Sequence, residues 1–351
     1  MGGLRIRLQI SPRRVSPGEP QAQIDTPIDA GHHLTADQSA DQSAGEVVAA
    51  TAVREGPCGR IAAYARGVVT TDGLGQVRLP DGRTLDVWQG GDPRGLPVVY
   101  FHGTPAGRLQ AALGDGAARR AGVRLVAFSR PGYGASSDTA TTLTSVAQDT
   151  LDLADQLGVD EFGTLGASGG GPFALATAAV DPDRVTAVGV VAGVASLAAL
   201  DPTVGEDPAV RLALAGDMTR AVAVNDTQFG APLDVSPEVS DEQVVGALSA
   251  LAPGEAPLPP EMLEPWAADL RDALPTYRGA SRDSLAFAVG WDVDLAAVTA
   301  PVWLWYGDRD QLVPLEHGRW LHERLPTSTL VVREGEPHGG VLADRGVERG
   351  Q

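Results

Sequence analysis

The sequence predicts an α/β fold in which helices cover both faces of a mostly parallel, twisted sheet and a helical cap is inserted. Two continuous apolar runs, residues 97–101 and 124–128, are typical of strands that are buried on both faces. Strand-like runs then alternate with segments whose apolar residues recur at helical spacing. This alternation is the pattern of parallel strands joined by helices.

The patterned part of the chain begins with a predicted hairpin. Residues 76–79 and 84–89 are short strand-like runs on either side of Pro80-Asp81-Gly82, a turn-forming sequence. Further strands are predicted at residues 97–101, 124–128, 162–167, 185–191, 301–306 and 329–332. Helices are predicted at residues 109–121, 143–157, 173–180 and 315–325. An antiparallel start followed by this alternation predicts the mostly parallel sheet.

Residues 196–296 interrupt the alternation with helical patterns and no obvious strand. The helical patterns lie at residues 208–214, 241–251, 260–274 and 281–289. We interpret 196–296 as a helical cap over one end of the sheet, inserted between a first core part, 71–195, and a second, 297–351. A separate domain unrelated to the site is the alternative.

Residues 1–70 differ in composition from the rest of the chain. They carry few large apolar side chains, scattered proline and glycine, and a tandem Ala-Asp-Gln-Ser repeat at residues 36–43. Such a segment cannot bury enough apolar area to offset the entropy lost on ordering. We therefore predict a disordered N-terminal extension, and a start codon assigned too far upstream would give the same pattern.

The charge of the chain is strongly negative. Acidic residues outnumber basic ones 45 to 27, which gives a net charge of −18 and a pI near 4.6. No basic cluster could neutralise phosphate groups, so we expect no nucleic acid and no membrane as partner. The partner that we expect is a small-molecule substrate, and the chain itself is expected to be a monomer or homodimer.

Cysteine and histidine use indicates neither a disulfide nor a metal site. Cys58 is the only cysteine, so no intrachain disulfide can form. His32 and His33 have no third ligand nearby. Arg13-Arg14 is not followed closely by an apolar segment, as an export signal would be. These observations predict a cytoplasmic protein with no metal and no cofactor.

A serine stands in the pattern Gly166-Ala167-Ser168-Gly169-Gly170. Because the chain has 43 glycines, the pattern alone is weak evidence. Its context is informative: the predicted strand 162–167 leads in, and a helix beginning near Pro172 leads out. A sharp turn there would raise the Ser168 hydroxyl above the sheet as a nucleophile. The alternative, a phosphate-binding loop, lacks the lysine of a Walker motif.

A serine nucleophile needs a base, and the chain offers six histidines. They are His32, His33, His102, His317, His322 and His338. The first two lie in the predicted extension, and the pair on the predicted helix 315–325 is expected to decorate its surface. Of the two that follow strands, His338 lies on a predicted loop with room to reach a site, so we choose it as the base. His102 is expected to brace its own loop.

The base in turn needs a carboxylate that orients it. Asp308 and Asp310 both follow the predicted strand 301–306, and either could serve. The order Ser168, Asp310, His338 is the order expected when the nucleophile lies on a strand-to-helix turn.

A tetrahedral intermediate needs N–H donors that are in place before reaction. One should be the backbone N–H of Gly169, which follows the nucleophile. The other should come from the loop His102-Gly103-Thr104-Pro105, after the strand 97–101. Pro105 has no N–H, so Thr104 is the better donor.

Taken together these motifs resemble the α/β-hydrolase superfamily, from about residue 75 to the C-terminus. They are the His102-Gly103 loop, Arg130-Pro131-Gly132-Tyr133-Gly134-x-Ser136, the Ser168 turn, Gly307-x-x-Asp310-x-x-Val313-Pro314 and His338. The resemblance implies a Ser168-His338-Asp310 triad and an acyl-enzyme route without a cofactor. The resemblance is closest to bacterial hydrolases that have a helical cap and an HGTP loop. Departures are Ser129, where the family often has Asp, and Pro337, where it commonly has Gly.

The expected function is hydrolysis of a carboxylic ester of small to medium size. The same triad would also serve a carbon–carbon bond, an amide or a lactone, and the same scaffold could bind a ligand without catalysis. A serine at 168 argues against dehalogenases and epoxide hydrolases of this superfamily, which use aspartate there. Trp266 and Trp291 are expected either to shape an acyl pocket or only to pack the cap onto the core.

Overall fold

The computed structural model describes residues 73–230, 233–250 and 258–342, and these contain a single eight-stranded sheet. The strand order is β1-β2-β4-β3-β5-β6-β7-β8. The predicted extension, residues 1–70, lies outside the described residues, and so do Cys58 and the histidine pair within that extension.

The strands are β1 (Leu74–Arg78), β2 (Thr84–Gly91), β3 (Leu96–Phe101), β4 (Val123–Phe128), β5 (Phe162–Ala167), β6 (Val185–Val191), β7 (Val302–Gly307) and β8 (Ser328–Arg333). The α-helices are α1 (Asp115–Arg120), α2 (Leu143–Gln156), α3 (Gly171–Val180), α4 (Leu197–Leu200), α5 (Pro208–Leu214), α6 (Met218–Gly230), α7 (Asp241–Ser249), α8 (Pro260–Ala273), α9 (Arg278–Ala288), α10 (Leu315–His322) and α11 (His338–Leu342). Short 3₁₀ helices lie at Arg108–Gly114, Ser168–Gly170, Val204–Glu206 and Leu295–Ala297.

The sheet is antiparallel at one edge and parallel elsewhere. β1 and β2 form the predicted hairpin, β2 runs antiparallel to β4, and each later pair is parallel. In the middle of the sheet Val98 lies opposite Leu125 on one side and Gly163 on the other. The predicted mostly parallel sheet with intervening helices is confirmed.

The main core explains why the strands and one helix are apolar throughout. α3 packs against α2 and against strands β5 and β6, and its side chains from Phe173 to Ala178 are fully buried. A helix buried on all sides needs no polar face, which accounts for its run of alanine, leucine and phenylalanine. The one polar residue in this run, Thr177, donates its hydroxyl to the Phe173 carbonyl. The helix begins directly after Ser168–Gly170, so this core fixes the end of β5 and the turn that follows it.

Helices α4 to α9 lie between β6 and β7, and the described residues of this stretch contain no strand. We call this stretch, residues 197–288, the helical insert. The helix α6 was not predicted, because its sequence mixes β-branched and polar residues without sustained helical spacing. It is stabilised by tertiary packing, since Ala221 and Val222 are buried against Val210 and Leu285. None of the described helices is long and apolar enough to span a bilayer.

Carboxylates attach the helical insert to the core beneath it. Asp269 on α8 is 1% exposed, and its two oxygens accept hydrogen bonds of 2.9 Å from the N–H groups of Gly107 and Gln110. Asp272, one turn further, pairs with Arg108 at 3.2 Å. These contacts fasten α8 to the start of the 3₁₀ helix that follows β3.

Asp269 should make stability depend on pH. Burial raises the pKa of Asp269 to about 7, against the opposing effect of its two backbone donors. Above pH 4 the folded chain therefore holds a proton that the unfolded chain has lost, and the free energy of unfolding falls as the pH rises to about 7. We expect melting temperatures of Asp269→Asn to show a shallower decline with pH than those of the wild type. Equal slopes would contradict this role of Asp269.

Candidate active site

Ser168 stands at a strained turn between β5 and α3. Its φ of +51° lies in the left-handed region, which costs a non-glycine residue about 1–3 kcal/mol and persists only where the surroundings enforce it. A β-carbon at Gly170 would lie 2.0 Å from the Phe101 carbonyl oxygen, and one at Gly166 would lie 2.5 Å from the Gly170 oxygen. Glycines are therefore required on both sides for strand and helix to approach so closely. The turn presents the Ser168 hydroxyl at the carboxyl end of the sheet.

His338 and Asp310 complete a hydrogen-bonded chain with this hydroxyl. Ser168 Oγ lies 3.1 Å from His338 Nε2, and His338 Nδ1 lies 2.7 Å from Asp310 Oδ2. A carboxylate can only accept, so Nδ1 carries the hydrogen and Nε2 is free to accept from the serine. The side chains of His338 and Asp310 are 8% and 0% exposed. The structure thus brings together three residues that are far apart in the sequence.

The structure distinguishes the two carboxylates that the sequence left open. Asp310 Oδ1 accepts from the N–H groups of Leu312 at 2.9 Å and Val313 at 2.7 Å, which leaves Oδ2 directed at His338. Asp308 is exposed and accepts from the Gly335 N–H at 2.7 Å instead. Asp310 is the carboxylate beside the histidine, and Asp308 ties two loops together.

His338 begins the short helix α11. The prediction that it lies on a loop was therefore wrong. Pro337 precedes His338, and proline is well suited to the start of a helix. The segment before it packs tightly on the end of β7, since a β-carbon at Gly307 would lie 2.0 Å from the Glu336 carbonyl oxygen. This close approach places His338 within reach of Asp310.

The loop after β3 places the Thr104 backbone beside Gly169. A β-carbon at Gly169 would lie 2.4 Å from Thr104 Oγ1 and 3.2 Å from the Thr104 nitrogen, so Thr104 packs directly against Gly169. The Gly103 N–H donates to Gln110 Oε1 at 2.8 Å and is therefore engaged elsewhere. Pro105 has no N–H. The Thr104 N–H belongs to the residue of this loop that lies against Gly169.

His102 holds this loop from inside. It is fully buried, its Nε2 accepts from the Arg130 N–H at 3.1 Å, and its Nδ1 donates to the Gly103 carbonyl at 2.8 Å. Burial, reinforced by the Arg130 charge, lowers the pKa of His102 well below its ordinary range. The ring is therefore neutral, and its two hydrogen bonds connect the loop with the Arg130 backbone.

His317 does not decorate its helix, so that expectation was wrong. It is 2% exposed, and its Nδ1 accepts from the Ala195 N–H at 2.9 Å. Burial lowers its pKa to about 4, so it is neutral at physiological pH. His322 is exposed and contacts Ser328, as a surface residue would. The hydrogen bond from the Ala195 N–H, in the segment after β6, holds the His317 ring inside the core.

Trp266 and Trp291 both take part in packing. Trp266 packs within the helical insert beside a cluster that includes Tyr133 and Leu270. Trp291 meets Trp320 edge to face with the ring centroids 5.8 Å apart. Both tryptophans contact other side chains, and a part for them in an acyl pocket stays a prediction.

Gln110 is a site residue that the sequence analysis missed. Its Oε1 accepts from both the Gly103 N–H and the Tyr100 hydroxyl, so it fixes the loop against β3. A lone glutamine inside an alanine-rich stretch gives no local signal of this role. Within the described residues no group of three or more His, Cys, Asp or Glu could hold a metal ion.

Comparison with solved structures shows the same fold. An esterase from Exiguobacterium antarcticum matches with a TM-score of 0.54 and 22% sequence identity, over 75% of this chain and 92% of that one. Its identity is low enough that the likeness speaks for the fold alone.

Sequence comparison places the chain in a family. A proline iminopeptidase from Xanthomonas citri is 36% identical over 116 residues, which are 31% of this chain and 35% of that protein. A non-heme chloroperoxidase from Streptomyces lividans is 26% identical over 274 residues, 76% of this chain and 93% of that protein. The family model for the alpha/beta hydrolase fold matches residues 97–342, from β3 to the end of α11. The chain belongs to the α/β-hydrolase family.

Proposed function

We propose that this protein is a serine hydrolase that acts through an acyl-enzyme on a carboxylic ester of small to medium size. The observation that carries the proposal is the continuous hydrogen-bonded chain from Ser168 Oγ through His338 to Asp310 Oδ2. Such a chain activates a hydroxyl that is otherwise a weak nucleophile. The positive φ of Ser168 supports the same conclusion, because strain of this kind is concentrated at reacting residues.

In the acylation step Ser168 Oγ attacks the ester carbonyl carbon and its proton passes to His338 Nε2. The carbonyl oxygen becomes an oxyanion, for which the backbone N–H groups of Thr104 and Gly169 are the proposed donors. When the intermediate collapses, the ester C–O bond breaks and His338 returns the proton to the leaving alkoxide. Water then attacks the acyl-enzyme by the same route and regenerates the free serine.

Asp310 supports this cycle by its negative charge and by orienting the His338 ring. Two backbone N–H groups hold its Oδ1, so Oδ2 can stabilise the imidazolium that forms during each proton transfer. The start of α3 adds the positive end of a helix dipole beside the nucleophile. Both effects favour charge separation in the transition state over the resting state.

We also propose that the helical insert is a cap that limits which substrates reach Ser168. Its helices α8 and α9 contact the loop after β3, which adjoins the nucleophile. The relatives described above carry different names, including an esterase and an iminopeptidase, so they agree on the scaffold more than on the bond cleaved.

A substrate panel tests the bond type. We expect p-nitrophenyl acetate and butyrate to be hydrolysed with a kcat/KM at least about tenfold above that of matched p-nitroanilides, lactones and carbon–carbon substrates. A higher kcat/KM for an amide, a lactone or a carbon–carbon bond would replace the ester proposal with that activity. Tight binding of a ligand, without turnover of any substrate and without reaction with a fluorophosphonate, would indicate a binding protein on this scaffold.

A further inference from the structure

A buried ion pair joins the helical insert to the core directly behind the loop after β3. Arg130, just beyond β4, and Asp283, on α9, have side chains that are 0% and 1% exposed. Arg130 Nη2 lies 2.5 Å from Asp283 Oδ2. Charges buried this completely are costly unless they are paired and fully hydrogen-bonded, so the partners of each group decide what the pair is for.

Asp283 also holds two hydroxyl groups. Its Oδ2 accepts from Thr104 Oγ1 at 2.7 Å and from the Tyr133 hydroxyl at 2.7 Å. Arg130 Nη2 in turn donates to Thr104 Oγ1 at 3.1 Å. The Thr104 hydroxyl therefore accepts from the arginine and donates to the aspartate, which fixes its side chain in a single orientation.

The same arginine fixes the peptide group to which the Thr104 N–H belongs. Arg130 Nη2 donates to the Gly103 carbonyl at 3.1 Å, and Nη1 donates to the His102 carbonyl at 2.6 Å. The Gly103 carbonyl and the Thr104 N–H share one planar peptide, so holding the oxygen on one side aims the hydrogen to the other. Gly169 lies against Thr104, since a β-carbon there would be 2.4 Å from Thr104 Oγ1 and 3.2 Å from the Thr104 nitrogen.

We propose that Asp283 of the helical insert is a positioning residue for the oxyanion hole, acting through Arg130 and the Thr104 side chain on the Thr104 N–H. This inference rests on the proposed serine hydrolase function. According to this inference the helical insert also contributes to catalysis, because the direction of the Thr104 N–H depends on the packing of α9 against the core.

Thr104→Val is the first test, because it removes the hydroxyl and keeps the buried ion pair. Loss of one oxyanion donor lowers kcat by about 10²- to 10³-fold, and a misaimed donor should cost less, so we expect kcat to fall by about 10- to 100-fold with KM nearly unchanged. Phosphonylation by a fluorophosphonate also builds negative charge in the oxyanion hole, so its rate should fall in parallel. Thr104→Ser retains the hydroxyl and should recover most of the loss.

Asp283→Asn is the second test, with kcat expressed per fluorophosphonate-labelled site so that misfolded molecules are not counted. We expect a kcat loss of at least the size seen for Thr104→Val, together with a lower melting temperature, since Arg130 loses its counter-charge. Asp138→Asn is the matched control. It removes the contacts of Arg278 and Arg282 from the insert to the core without touching Thr104, and should leave kcat within about twofold.

The outcomes separate this inference from the function on which it rests. In the first outcome, the wild type reacts with the fluorophosphonate and hydrolyses esters, but Thr104→Val and Asp283→Asn lose only stability and keep their kcat per labelled site. The ion pair between Arg130 and Asp283 is then structural, and the positioning role is wrong. If the wild type does neither, the proposed function fails and the positioning role fails with it. A kcat loss in both variants that Thr104→Ser reverses supports the inference.

Discussion

Ser168→Ala is expected to lower kcat for p-nitrophenyl butyrate by about 10⁴- to 10⁶-fold, with the melting temperature little changed. The alanine keeps the turn but has no oxygen for His338 Nε2 to activate, and that oxygen lies 3.1 Å away in the wild type. The residual rate should reflect only binding and the oxyanion donors. The rate is measured on purified proteins with p-nitrophenolate release as the signal.

A serine that has no part in the chemistry provides the control for this variant. Ser249→Ala changes the last residue of α7 in the helical insert and should leave kcat within about twofold. Equal rates for the wild type and Ser168→Ala would show that another group cleaves the ester, and the proposed mechanism would be abandoned.

Asp310→Asn is expected to lower kcat by about 10⁴-fold near neutral pH. Two backbone N–H groups bind Oδ1, so the amide NH₂ of the variant would occupy the position of Oδ2 and face His338 Nδ1. A donor there favours the hydrogen on Nε2, which is the tautomer that cannot accept from Ser168. The loss should therefore appear in kcat far more than in KM.

Asp308→Asn is the matched control for this prediction. It makes the same chemical change two residues away, at a carboxylate that accepts from the Gly335 N–H. We expect its kcat to stay within about threefold of the wild type, because surface carboxylates contribute little. A larger loss in Asp308→Asn than in Asp310→Asn would reverse the assignment of the orienting carboxylate.

Much of the fold was predictable because buried parallel strands carry continuous apolar runs. Residues 97–101 and 124–128 have no polar face to solvate, and their positions agree with β3 and β4 to within one residue. The turn at Ser168 was predictable for a related reason, since strand, glycines and helix follow one another locally. His338, and Asp310 as one of two candidates with Asp308, could be found because each follows a strand, and parallel strands bring their carboxyl ends to one edge.

Residues that act through distant contacts could not be predicted. Asp283 and Gln110 are single polar residues in helical or alanine-rich stretches, and their partners lie in other elements of the fold. The burial of His317 depends on how α10 packs beneath the segment after β6, and periodicity alone does not fix that contact. The helix α6 was missed because its stability comes from packing more than from propensity.

Covalent labelling tests the central claim most directly. The protein is treated with a fluorophosphonate and digested, and the modified peptide is identified by mass. The account predicts one adduct per chain, on the peptide that contains Ser168, and no adduct in Ser168→Ala. An adduct on a different residue, or an ester-hydrolysing wild type that takes up no label at Ser168, would contradict it.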